Sequence, residues 1–160
     1  MVYIGSDHKG YDLKDSIIKE FIRNNIPYTD CGDGEFNPHD DYPDYAFIVG
    51  EKVVNHKKED KQIIEDLILT MGLLICGSGE GMAIAANKVK GIRATLCHTE
   101  ESTRLSREHN DANVLVLDSH LDLDTAIEFI DIFLTTPFSE EERHVRRIKK
   151  ISEYENKHIK

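Results

Sequence analysis

Five short apolar runs, each followed by a turn and then by a stretch with helical periodicity, constrain this chain more than any other feature. VYIG (2–5), IPYTDCG (26–32), GLLIC (72–76), GIRATLC (91–97) and NVLVLDS (113–119) read as strands. LKDSIIKEFIRNN sets Leu13, Ile17 and Phe21 four apart on one helical face. Residues 33–43 are polar, with two prolines and a glycine, and read as a loop before the helical DYAFIVGEKVVNH. GMAIAANK starts a helix after the third strand. TEESTRLSREHN has Thr99 as an N-cap with acids in its first turn. DLDTAIEFIDIFLTTP is amphipathic and stopped by Pro137. SEEERHVRRIKKISEYENK then opens on a capping box, Ser139 with Glu142 three residues later. Strands alternating with helices imply a parallel sheet covered on both faces. The expectation is an α/β, Rossmann-like three-layer domain with a five-stranded parallel sheet and an extra C-terminal helix over 139–160. With 160 residues, no repeat and no low-complexity linker, the chain reads as a single domain, 1–160.

In such sheets ligands sit beyond the carboxyl ends of the strands. That edge should hold Gly5-Ser6-Asp7-His8, Cys31-Gly32, Cys76-Gly77-Ser78, Cys97-His98 and Asp118-Ser119. Asp7-His8 and Cys76 are the reactive groups among them.

Charge and cysteine usage exclude several classes. A net charge of −10 argues against a general nucleic-acid surface, which needs excess Lys and Arg. No long apolar run suggests a membrane span, and the N-terminus lacks a signal-peptide pattern, so a soluble cytoplasmic protein is expected. Three widely spaced cysteines without CxxC, and eight histidines without HxH or HExxH, support neither a disulfide framework nor a metal site.

The loop Gly77-Ser78-Gly79-Glu80-Gly81 fails the dinucleotide fingerprint, because Met82 or Ile84 stands where its third glycine belongs. It lacks the Lys-Ser/Thr of a nucleotide P-loop as well. What remains is either a tight strand-to-helix turn or a row of backbone N–H groups suited to negative charge. Cys76 at its mouth is either inert packing or a thiol whose thiolate the helix start favours. A free thiol is only about 3 % ionised at pH 7, so one unit of depression matters. Arg143 and Arg147, four apart in RHVRRIKK, either face solvent or grip one phosphate from a single helix face. His109, in REHND at a helix end, is either a cap or a titrating group.

Four separated blocks, GSDHKGYDLK (5–14), DDYPDYA (40–46), CGSGEGMAIAANKVKGIRA (76–94) and SREHNDANVL (106–115), together with RHVRRI (143–148), resemble the ribose-5-phosphate isomerase B family and its galactose-6-phosphate isomerase relatives. The resemblance runs in order along nearly the whole chain. It implies an aldose–ketose isomerase of the pentose phosphate pathway, acting on ribose 5-phosphate and ribulose 5-phosphate without metal or organic cofactor. It also implies a homodimer or dimer of dimers with the active site at the subunit interface and the C-terminal helix packed on the partner.

Carried over by motif, Cys76 is the base, Asp7 and His109 aid ring opening, and Ser78 stands where the family has Thr or Ser. His8 and Tyr42 line the substrate pocket, and Gly77, Gly79, Glu80 and Gly81 complete the anion-binding loop. His109 and Asn110 come from the partner subunit, and Arg143 and Arg147 bind phosphate. Members without the cysteine use a Glu on the same loop; Glu80 neighbours that position without matching it. His120 takes the place of an Arg that contacts phosphate in many members. Residues 55–70 are longer than the usual link and are expected to form a surface helix or loop. A six-carbon aldose phosphate (galactose or allose 6-phosphate), a non-catalytic sugar-phosphate sensor and a flavodoxin-like cofactor binder are the competing readings.

Overall fold

A computed structural model describes residues 1–32, 34–59 and 70–158. The central strand β3 (Met71–Cys76) is buried at all six residues and pairs on both sides. One neighbour is β1 (Val2–Ser6), with Ser6 opposite Ile75; the other is β5 (Val114–Asp118), with Asp118 opposite Cys76. The edge strands are β2 (Tyr28–Asp30), beyond β1, and β4 (Ala94–Leu96), beyond β5. The order is β2-β1-β3-β5-β4 and every pairing is parallel, as the alternating pattern requires. β2 and β4 are shorter than the runs 26–32 and 91–97, because each has a ladder partner on one side only.

Side chains of alternate strand residues divide the core into two layers. Leu73, Ile75, Leu115 and Leu117 pack against Leu13, Ile17 and Phe21 of α1 (Tyr11–Arg23) and Ala126, Phe129, Ile130 and Phe133 of α5 (Leu123–Thr135). Leu74, Cys76, Val114 and Val116 pack against Tyr45, Ala46, Val49 and Val53 of α2 (Tyr42–Glu59) and Met82, Ala85 and Ala86 of α3 (Glu80–Ala86). Removing a large buried side chain such as Phe133 costs about 3–5 kcal/mol.

α2 begins at Tyr42, inside the stretch expected to be loop. Pro43 falls in the first helical turn, where its missing N–H has no partner to lose. α4 (Glu100–Asn110) starts as expected: the Thr99 side chain accepts from Ser102 N, and Ser102 Oγ accepts from Thr99 N. At its end Asp111 adopts φ 45°, with its carboxylate bonded by Arg93 and Arg107.

The last helix, α6 (Glu142–His158), does not open on the Ser139–Glu142 box. Ser139 Oγ instead bonds His144 Nδ1 at 2.7 Å, and the His144 and Val145 amides donate to Glu141 O. Buried His144 offered the hydroxyl a partner away from water, whereas Glu142 is exposed. α6 packs on α4, and Glu155 near its end accepts from Gly91 N. Most of the long segment 55–70 lies outside the described residues. Among the described residues no helix is long and apolar enough to cross a membrane.

Candidate active site

From β1 the chain adds β2 on one side and then crosses to β3 on the other, so the strand order reverses between β1 and β3. A crevice opens at the carboxyl ends of such a pair. The β1 end presents Asp7 and His8; the β3 end presents Cys76 and the glycine-rich loop.

Asp7 is 8 % exposed and closes the β1–α1 turn. Its Oδ1 accepts from Lys9 N at 3.0 Å and Gly10 N at 3.1 Å, while its own amide donates to Ile75 O at 3.3 Å. Gly10 is required there, because a Cβ would stand 2.5 Å from Ile75 O. Asp7 is thus pinned one residue from Cys76. His8 is held by Asp40: the carboxylate accepts from His8 N at 3.1 Å and lies 2.6 Å from Nδ1. The Lys9 stem lies beside Gly77.

Cys76 is the last residue of β3, 5 % exposed, in the apolar layer that also holds Tyr45 and Met82. Burial rises to the surface within two residues: Gly77 is half-buried and Ser78 exposed. Ser119 braces this exit from beside, donating its amide to Cys76 O (3.0 Å) and its hydroxyl to Gly77 O (3.4 Å). Gly79 caps α3 at φ 76°, where a Cβ would strike Leu96 Cδ1 at 2.4 Å. Only glycine allows that turn. Gly81 lies under the Tyr42 ring, so close that a Cβ would sit 2.7 Å from Cζ. Asp7, His8, Tyr42, Cys76 and the loop Gly77–Gly81, with Ser78 and Glu80 exposed on it, therefore share one end of the sheet.

His109, Asn110, Arg143 and Arg147 lie elsewhere in the same chain. α4 runs back along the sheet, so its carboxyl end lies at the amino ends of the strands. Asn113, just beyond it, accepts from Gly72 N at the start of β3. Gly72 to Cys76 spans about 13 Å of strand. At that far end the His109 ring stacks on buried His144, with centroids 4.3 Å apart. Burial, then the neighbouring His109 and Arg143 charges, hold the His144 imidazole below its usual range. Arg143, bonded to Glu141, and Arg147 are exposed on the first turns of α6.

The chain thus carries two separate groups of candidate residues: an acid, a thiol and a glycine loop at one end of the sheet, and a histidine–arginine cluster at the other. Asp40 and His144 went unread in the sequence. Asp40 meets His8 across 32 residues, and no local spacing marks such a pair. His144 stood inside a cationic motif that drew attention to its arginines.

His120 at the end of β5 is exposed, with Nδ1 2.6 Å from Asp118 Oδ1. Burial opposes the charged Asp118, yet the His120 amide and ring bonds outweigh it and hold the carboxyl below its usual range. Among the described residues no cluster of three or more ligating side chains could hold a metal ion. A groove of about 580 Å³ between α1 and α5, lined by Glu20, Arg23 and Asp131 among others, contains no residue of either group.

Sheet order, switch-point residues and glycine loop define an α/β protein of the kind that carries its ligand site at the carboxyl edge of the sheet. The Ribose/Galactose Isomerase family matches residues 2–151, and the chain belongs to that family. A probable ribose-5-phosphate isomerase B of Mycoplasma genitalium is 41 % identical over 155 residues, covering 96 % of this chain and 95 % of the relative. A putative sugar phosphate isomerase of Bacillus subtilis is 42 % identical over 163 residues, 99 % of each. The crystal structure of ribose-5-phosphate isomerase B from Mycoplasma genitalium with bound ribulose-5-phosphate superposes with a TM-score of 0.85. It is 39 % identical, over 97 % of this chain and 95 % of that one.

Proposed function

We propose that this chain interconverts D-ribose 5-phosphate and D-ribulose 5-phosphate, with Cys76 as the base. The observation that carries the reading is Cys76 closing β3 directly against the Gly77–Gly81 loop, one residue from the Asp7 anchor at Ile75 O. In the open-chain aldose, the Cys76 thiolate removes the proton from C2. The electron pair moves toward C1, and the carbonyl oxygen becomes an enediolate oxygen. A proton passes from the C2 hydroxyl to O1, and return of the carbon-bound proton from Cys76 to C1 then gives the ketose, with the carbonyl now at C2. Backbone N–H groups of residues 77–81 stabilise the oxyanion, which needs donors aimed at where charge develops. Asp7 and His109 assist ring opening, Ser78 and Glu80 border the reacting carbons, and Tyr42 with His8 lines the pocket.

His109, Asn110, Arg143 and Arg147 lie at the wrong end of the sheet to reach Cys76 of their own chain. A second copy supplies them. Exposed Val145, Ile151 and Tyr154 on α6 give that copy an apolar surface. The active form is therefore a homodimer, or a pair of dimers, with α6 packed on the partner. Arg143 and Arg147 hold the phosphate and so place the reacting carbon. The chemistry calls for no organic cofactor.

The test is turnover of ribose 5-phosphate, with galactose and allose 6-phosphates in parallel, by the native protein and by Cys76→Ala. The variant should lose exchange of the C2 hydrogen with solvent while still binding the sugar phosphate. Near-normal turnover would remove Cys76 as the base and return attention to Glu80.

A further inference from the structure

We propose that Asp40 is a positioning residue that holds His8 with its ring proton on Nδ1, leaving Nε2 as the atom offered to the sugar phosphate. The inference rests on the isomerase reading only for what His8 faces. A carboxylate has acceptors and no donor, so the 2.6 Å contact to Nδ1 places the proton on that nitrogen. The same Oδ1 also accepts from His8 N, at 3.1 Å. One oxygen therefore fixes both the backbone and the ring of His8. The Asp40 side chain is 8 % exposed and the His8 side chain 26 %, so the bond is shielded while the ring keeps an open edge. Nε2 has no partner among the described residues.

Asp40 also stands two residues before Tyr42, whose ring covers Gly81. The carboxylate thus ties the β1–α1 turn to the start of α2, and the two pocket side chains His8 and Tyr42 are set relative to each other. Neutral imidazole can place its proton on either nitrogen, and the hydrogen bond made by one nitrogen decides the role of the other. With Asp40 in place, Nε2 accepts from a sugar hydroxyl when the ring is neutral and donates to an anionic oxygen when it is charged.

Two-bond 1H–15N correlation spectra of the native protein, taken where the ring is neutral, read the tautomer directly. The expected result is a His8 proton on Nδ1; a proton on Nε2 in the native protein overturns the proposal whatever the variants do. Asp40→Ala should shift the proton toward Nε2 and raise KM for ribose 5-phosphate roughly tenfold, with a smaller change in kcat. Asp40→Asn, whose amide oxygen can accept the same two bonds, should keep the tautomer and recover most of the KM. In the cycle with His8→Ala, the double variant should be no worse than His8→Ala alone. Additive losses, or an Asp40→Ala protein with native tautomer and KM, would refute the role. Turnover by the native protein is the control. Its absence would refute the isomerase reading and leave the tautomer to decide Asp40.

Discussion

The imidazole of His144 lies 4.3 Å from that of His109, tilted by 37°, with Ser139 Oγ bonded to its Nδ1. Two stacked rings at that distance resist carrying two charges, and His144 is buried besides. With its folded-state pKa depressed by burial first and by His109 and Arg143 next, the folded protein binds this proton less readily than the unfolded chain. Stability from this group is full above the unfolded value, near 6.5, and is lost as pH falls below it toward the lower folded-state value. Urea midpoints measured at about pH 7.5 and about pH 5.5 should therefore fall toward acid. His144→Asn, unable to titrate, should flatten that part of the profile. An equal fall in the variant would show that other groups carry the effect.

Gly79 sits at φ 76° with Leu96 Cδ1 where a side chain would begin. Gly79→Ala adds both backbone strain and a clash, and should cost about 1–3 kcal/mol in chemical denaturation. Because the turn aims the loop amides, turnover should fall further than the stability loss alone explains. Full activity with unchanged stability would mean the loop tolerates another geometry.

The carboxyl-edge placement of Asp7, Cys76 and Asp118 was readable from sequence because each lies at the end of a strand. Asp7, Cys76 and Asp118 follow apolar runs, and a parallel sheet sends all such ends to one edge. The edge strands were read too long, since apolar residues flanking β2 and β4 pack without a second ladder partner. The Ser139 box failed because a tertiary partner, His144, outcompeted the local one. The Asp40–His8 contact joins a loop to a turn 32 residues away, and only a folded chain displays it.

Cys31, half-buried at the end of β2, has its thiol pushed up to about 11 by burial, with Lys52 working the other way. At pH 8 about one molecule in a thousand then carries the thiolate, against roughly one in ten for a thiol near pH 9. Mass-mapped alkylation should find Cys31 modified about a hundredfold more slowly than in a denatured control. The folded form keeps this proton longer than the unfolded one, so stability present below about pH 9 is lost as pH rises toward about 11. Cys31→Ser should remove that alkaline loss and leave turnover intact; rapid labelling of the native protein would contradict the burial argument.

The separation of the two groups of candidate residues makes a prediction about mixing. Cys76→Ala spoils the group at the carboxyl edge, and His109→Ala spoils the group at the end of α4. In the proposed homodimer each variant carries two copies of the same defect, so both proteins alone should be inactive. In a mixed dimer, one site combines the two defects and the other combines an intact Cys76 with an intact His109 from the opposite chain. Random exchange of subunits makes half the dimers mixed, each with one working site of two, so about a quarter of native turnover should return. The gain should track the fraction of mixed dimers when the ratio of the variants is changed. If each chain instead built its site from its own residues, no mixture could restore a complete set. Silence in the mixture, with subunit exchange shown by native mass spectrometry, would refute the shared site.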